Sequence, residues 1–171
     1  MSAPATAHGV ALSPAIVEGV AEAVENTLAS ICGARPERLT DDPPPQADII
    51  GIITFVGDAA WSFSILMPEA TAVALIQTFV GMEIPFDSAD MGDAAGELAN
   101  VIAGDIVARL DARRVKAKMS LPLVARGQNV KVFGVATAAC VRLGYRGAQG
   151  PFWIKLAAEE QAQLLARQPG T

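Results

Sequence analysis

Apolar residues at Ile16, Val20, Val24 and Leu28 keep one side of an α-helix apolar. Ser13-Pro14 reads as N-cap and first helical position, and Gly33 as a stop, so the pattern predicts a first helix over about 14 to 32. Residues 34 to 47 carry Pro36 and Pro43-Pro44-Pro45 among charged side chains, which predicts a connecting loop because proline offers no backbone donor. The β-rich runs 48 to 56 and 59 to 66 predict an antiparallel pair, with Gly57-Asp58 as a tight hairpin turn. From Pro68 the spacing turns helical through Leu75, Ile76 and Phe79 and stops at Gly81. A longer third helix, capped by Ser88 or Asp90, runs to about Arg113. After Pro122 the chain reads as strands over 129 to 133, 136 to 145 and 151 to 158, with Gly147 and Gly150 in a turn.

Helix, two strands, two helices and then several strands is an α+β order. It predicts an antiparallel sheet packed against two long helices plus a short helix. One domain over residues 13 to 158 is expected, with a flexible leader at 1 to 12 and a C-terminal tail at 159 to 171 that frays or forms a short helix. Trp61 and Trp153 fall in strands and read as core or sheet-face residues.

Composition narrows the chemistry. The 171 residues are 51% hydrophobic and 18% charged, as a globular chain is. A net charge of −5 argues against a grip on nucleic acid, which needs clustered Lys and Arg. No apolar run approaches the roughly 18 residues of a membrane span and no basic segment opens a signal peptide, so no membrane partner is expected. Cys32 and Cys140 lie in apolar runs without metal spacing and read as buried free thiols, which fits the cytoplasm. The single histidine, His8, sits in the leader, which removes His-based triads and multi-His metal sites. Neither a Gly-rich phosphate loop nor a Walker lysine occurs, so nucleotide binding is unsupported.

The third helix holds the candidate chemistry. On a helical wheel Ala95, Leu98, Ala99, Ile102, Ile106 and Leu110 form the core side, and Asp93, Glu97, Asn100 and Gly104 the solvent side. Asn and Gly are poor choices for an exposed helix interior, Gly by about 1 kcal/mol relative to Ala. Gly96 and Gly104 flank Asn100 without side-chain bulk, which would let another protein approach the helix closely. By spacing alone, a solvated polar face remains the better account of these residues.

The run Asp93-Ala94-Ala95-Gly96-Glu97-Leu98-Ala99-Asn100 resembles the (Asp/Ser)-x3-Glu-x2-Asn signature of the CheC, CheX and FliY phosphatases of bacterial chemotaxis. The continuation Val-Ile-Ala-Gly and the later Ser120-Leu121-Pro122-Leu123-Val124-Ala125-Arg126-Gly127 resemble the same family. CheC- and FliY-type chains carry two such signatures. The first helix here has Glu18, Glu22, Glu25 and Asn26 but no Glu-x2-Asn, so the resemblance is to CheX, with one site.

The resemblance implies a phosphatase acting on the aspartyl-phosphate of a CheY-like receiver domain. Asn100 would orient the attacking water, Glu97 would dock on the receiver's active-site lysine, and Asp93, Gly96 and Gly104 would meet the partner. Mg2+ would belong to the receiver, with no metal or other cofactor on this chain. A homodimer formed by strand addition would follow from the same likeness. The rival reading is a non-catalytic receiver-binding or flagellar-switch module of the same fold. The basic cluster Arg109, Arg113, Arg114, Lys116 and Lys118 could steer an acidic partner, although a helix C-terminus attracts cations in any case.

Overall fold

The structure is a computed structural model and describes residues 12–40, 45–132 and 139–158. The leader with His8 (apart from Leu12), the tail from 159 onward, residues 41–44 with Pro43 and Pro44, and residues 133–138 lie outside the described residues.

Helix α1 spans Pro14–Cys32. Ser13 Oγ accepts from the Ile16 N–H, and Gly33 closes the helix at φ 74, its N–H donating to the Ala29 carbonyl. Helix α2, Glu69–Val80, stops at Gly81 with φ 79. Helix α3, Ala89–Ala112, is capped by Ser88, whose Oγ accepts from the Met91 N–H. The strands are β1 Glu37–Arg38, β2 Ile49–Gly57, β3 Trp61–Met67, β4 Ala117–Met119, β5 Leu123–Arg126, β6 Cys140–Gly147 and β7 Gly150–Ala158. They form one antiparallel sheet in the order β1-β6-β7-β3-β2, with β4 and β5 both pairing with the far edge of β2.

The fold is therefore the expected α+β one, with the three helices on one face. Alternation along each strand sends Ile49, Ile53, Phe55, Trp61, Phe63, Ile65, Ile154 and Leu156 into a core shared with Val20, Val24, Leu98, Ile102 and Ile106. Trp61 stacks on Phe55 there, with ring centroids 4.2 Å apart. Trp153 lies on the opposite face of the sheet with Ile50 and Leu66, under Ala47 and Val130. Among the described residues no helix is long and apolar enough to cross a membrane.

Several expectations need correcting. Residues 129–132 are not a strand. Asn129 sits at φ 48 and its N–H donates to Asp48 Oδ1, while the Val130 N–H donates to the Ala47 carbonyl, so the segment bends over the sheet instead of joining it. The chain pairs earlier, as β4 and β5. Gly57-Asp58 is not a two-residue hairpin turn either. Gly57 pairs with Ala117, an added Cβ on it would lie 2.1 Å from the Lys116 carbonyl oxygen, and Asp58 Oδ2 accepts from the Lys116 N–H. Those two residues hold β4 in place, and β3 starts only at Trp61. Within the segment read as loop, β1 pairs with the end of β6. Cys32 is half-buried and Cys140 is exposed, because Cys140 begins β6 on the helix-free face.

Asp48 organises this end of the sheet. Its carboxylate accepts from the backbone N–H of Asn129 and of Glu69, which supplies α2 with the cap that Pro68 cannot. These donors, Asn129 first, hold its carboxyl below the ordinary value of 3.8. Because the folded carboxyl is the stronger acid, its stabilisation is present above the ordinary value and is lost as pH falls through the lower folded value. Unfolding free energy followed by denaturant titration from about pH 5 to about pH 2 should therefore fall less steeply in Asp48→Asn than in the wild type. Parallel slopes in the two proteins would contradict this role.

Candidate functional site

The site is built on α3, whose seat is fixed by small residues. An added Cβ on Gly51 of β2 would lie 3.1 Å from Ala99 Cβ and 3.7 Å from the Ala95 carbonyl oxygen, so the helix rests directly on the strand. Ala95, Leu98, Ala99, Ile102 and Ile106 are fully buried, as the wheel predicts. On the other side Asp93, Glu97 and Gly104 are exposed and Asn100 is half-buried. Among the described residues the side chains of Asp93, Glu97 and Asn100 make no hydrogen bond or ion pair. They are polar groups held on a rigid element with their side-chain hydrogen-bonding capacity unused among the described residues.

The two glycines flanking Asn100 differ. Around Gly104 nothing lies within 4 Å of an added Cβ. At Gly96 the space is already used within the chain, since an added Cβ would meet Val124 Cγ2 at 3.4 Å and Pro122 Cγ at 3.5 Å. Gly96 thus lets the β4–β5 segment close against α3. Between them runs an open groove lined by Asp93, Gly96, Glu97, Pro122, Val124 and Arg126, with Ser88, Ala89 and Gly92 at its head.

The far wall of this groove is a β-bulge. Ile52 pairs with Leu123 and Phe55 with Met119, so the β4–β5 side holds one residue more than the β2 side. Ser120 fixes it: its N–H donates to the Thr54 carbonyl, its Oγ accepts from the Thr54 N–H at 3.0 Å and donates to the Leu121 carbonyl at 2.8 Å. At the head of the groove the Arg126 guanidinium donates to the carbonyls of Phe86, Asp87 and Ser88, tying β5 to the start of α3. Pro122, Val124 and Arg126 lie in the Ser-x-Pro stretch whose resemblance was noted, but nothing in their spacing assigns them to one wall of a site.

The basic cluster divides in two. Arg109 donates to Asp105 and Glu22, and Arg113 to Glu22 at 2.8 Å, so these two bind α3 to α1. The bond from Arg113, with the charges of both arginines, holds the Glu22 carboxyl below its ordinary value. Arg114, Lys116 and Lys118 are exposed, and their side chains pair with no acid among the described residues. On α1, Glu25 and Asn26 are both engaged by Arg35. Glu22 and Glu25 of α1 are thus occupied by internal pairs. Among the described residues no group of three or more His, Cys, Asp or Glu is placed to hold a metal ion.

Comparison with known proteins agrees with this architecture. The profile of the family described as chemotaxis phosphatase CheX matches residues 49–145. Among curated proteins none matches the chain in sequence. Similar solved structures include a CheC-like superfamily protein from Shewanella sp. PV-4, with TM-score 0.76 and 19% identity over 87% of this chain and 100% of that one. The chemotaxis protein CheX from Vibrio vulnificus has TM-score 0.75 and 20% identity over 84% and 96%. The CheX–CheY–BeF3–Mg2+ complex from Borrelia burgdorferi contains a chain with TM-score 0.68 and 17% identity over 85% and 98%.

Proposed function

The chain belongs to the CheX family of chemotaxis phosphatases, and on that premise we propose that it hydrolyses the aspartyl-phosphate of a CheY-like receiver domain. The observation that carries this reading is that Glu97 and Asn100, both without side-chain partners among the described residues, share the outward face of a helix seated firmly on the sheet. That a CheX–CheY complex has been solved for a protein of this fold supports a receiver as the partner.

Hydrolysis of an acyl phosphate requires little covalent help. Water attacks phosphorus in line, the bond from phosphorus to the acyl oxygen breaks, and the products are the aspartate carboxylate and dihydrogen phosphate. Asn100 would accept a hydrogen bond from the attacking water through its carboxamide oxygen and hold it behind the phosphorus. Glu97, one turn earlier, would form a charge-assisted bond to the receiver's active-site lysine and set the register. Asp93, Gly96 and Gly104 would border the contact. Mg2+ would come with the receiver, and the chain itself would need no cofactor. A receiver substrate places the activity in the cytoplasm.

Glu97→Ala should raise KM for the phosphorylated receiver by roughly tenfold or more, the worth of a hydrogen bond between charged groups, with a smaller change in kcat. Steady-state phosphate release at varied receiver concentration measures both, and an unchanged KM would remove Glu97 from the docking role. A non-catalytic receiver-binding module would retain the Glu97 effect on binding but show no turnover. Self-association by strand addition at the late strands is a further expectation that follows from the family likeness.

A further inference from the structure

We propose that Leu121 is a docking residue, an apolar anchor that enters a recess of the receiver beside its phosphorylated aspartate. The inference rests on the receiver reading above and extends it to a side chain outside the Glu-x2-Asn signature. A lone exposed leucine means little in itself, since folded surfaces carry many. Leu121 differs in how it is held and where.

It is 87% exposed, the most exposed large hydrophobic side chain among the described residues, and the next, at 65%, is Leu123 two positions on. Its backbone is clamped on both sides. Ser120 Oγ bonds its carbonyl while tied to Thr54, and Pro122 packs where Gly96 leaves room. The chain therefore builds a bulge that holds a leucine out in water, at a cost that folding alone does not require. Bulges commonly re-aim a side chain beside a functional site.

Its position follows from the spacing of the two elements. Arg126 is bonded to the carbonyl of Ser88, and strand rises about 3.3 Å per residue against about 1.5 Å for helix, so Pro122, some 13 Å along, should stand level with Glu97. The contact between Pro122 and Gly96 agrees. By the same rise, one residue further should bring Leu121 about level with Ala99 and Asn100. Asn100 follows Gly96 by four positions and leans to the same flank. On this spacing Leu121 lies on the flank where Pro122 meets Gly96, beside the helix face that carries Asn100.

The β4–β5 edge also discriminates between occupants. A second copy adding a strand would need an unbroken ladder edge, whereas here the extra residue interrupts the ladder and Pro122 offers no N–H. Residues 119–125 carry no charge, while the adjoining helix face carries Asp93 and Glu97. An uncharged centre beside polar groups suits a folded protein surface, which on the receiver reading would present its lysine to Glu97 and an apolar recess to Leu121.

The test uses the full chain and a panel of phosphorylated receiver domains. For the receiver that the wild type dephosphorylates, Leu121→Ser should raise KM about tenfold with kcat and melting temperature unchanged, and Leu121→Met should restore KM. An unchanged KM in Leu121→Ser, where Asn100→Ala sharply lowers kcat, would overturn the anchor and leave the phosphatase reading intact. If no receiver is turned over, binding of beryllofluoride-loaded receivers decides. Weaker binding by Leu121→Ser supports the anchor, and equal binding, or none by the wild type, overturns it. Sedimentation provides the remaining outcome: a wild-type dimer that Leu121→Ser splits would assign the side chain to self-association and overturn the proposal.

Discussion

Asn100→Ala should lower kcat for phosphate release by about a hundredfold or more, with KM and thermal stability close to wild type. The reason lies in what the side chain does not do in the free protein. It bonds no neighbour among the described residues and is only half-buried, so its removal leaves no unsatisfied group and no cavity in the core. On the proposed mechanism, what would be lost is an acceptor placed behind the phosphorus. Methyl cannot hold a water there, and loss of a well-placed positioning group commonly removes two orders of magnitude. Asn100→Asp should be nearly as poor, because a carboxylate beside the phosphoryl oxygens repels the charge it must approach. Single-turnover release from a pre-phosphorylated receiver isolates the chemical step. Rates within a factor of two of wild type would sink the assignment of Asn100.

The parts of this site that were legible in the sequence are those set by local periodicity. Asp93, Glu97 and Asn100 share a face because steps of three and four do so in any α-helix, and Ser88 and Gly81 punctuate the chain by their own stereochemistry. The groove was not legible, because its second wall depends on contacts distant in sequence. β4 and β5 are three and four residues long, too short for an alternating pattern to declare itself, and the Ser120 clasp needs Thr54 from the other end of the domain. Residues 129–132 mislead for the converse reason. Their composition favours a strand, but Asp48 captures the Asn129 N–H and turns the chain away. The basic cluster shows the same limit, since only the fold separates Arg109 and Arg113, bound to Glu22, from Arg114, Lys116 and Lys118.

Gly51→Val should destabilise the domain by about 3 kcal/mol, near the upper end for overpacking, and should also depress activity. The space is closed on both sides by groups that cannot swing away. Ala99 Cβ belongs to the helix itself at 3.1 Å, and Ile65 Cγ2, at 3.3 Å, sits on the neighbouring central strand. Valine's better strand propensity offsets at most about 1 kcal/mol of this. For a domain of this size the loss corresponds to a fall of about 10 °C in melting temperature. Relief can come only by lifting α3 from β2, and Ala99 is the residue before Asn100, so the displacement reaches the groove and should lower kcat as well as stability. Gly51→Ala should show the same effects in smaller degree, and Gly104→Ala, on the same helix but facing open space, should gain up to about 1 kcal/mol. Chemical denaturation and single-turnover kinetics on the three variants test the link. A stable Gly51→Val with wild-type kcat would mean that the seating of α3 on the strand does not govern the placement of Asn100.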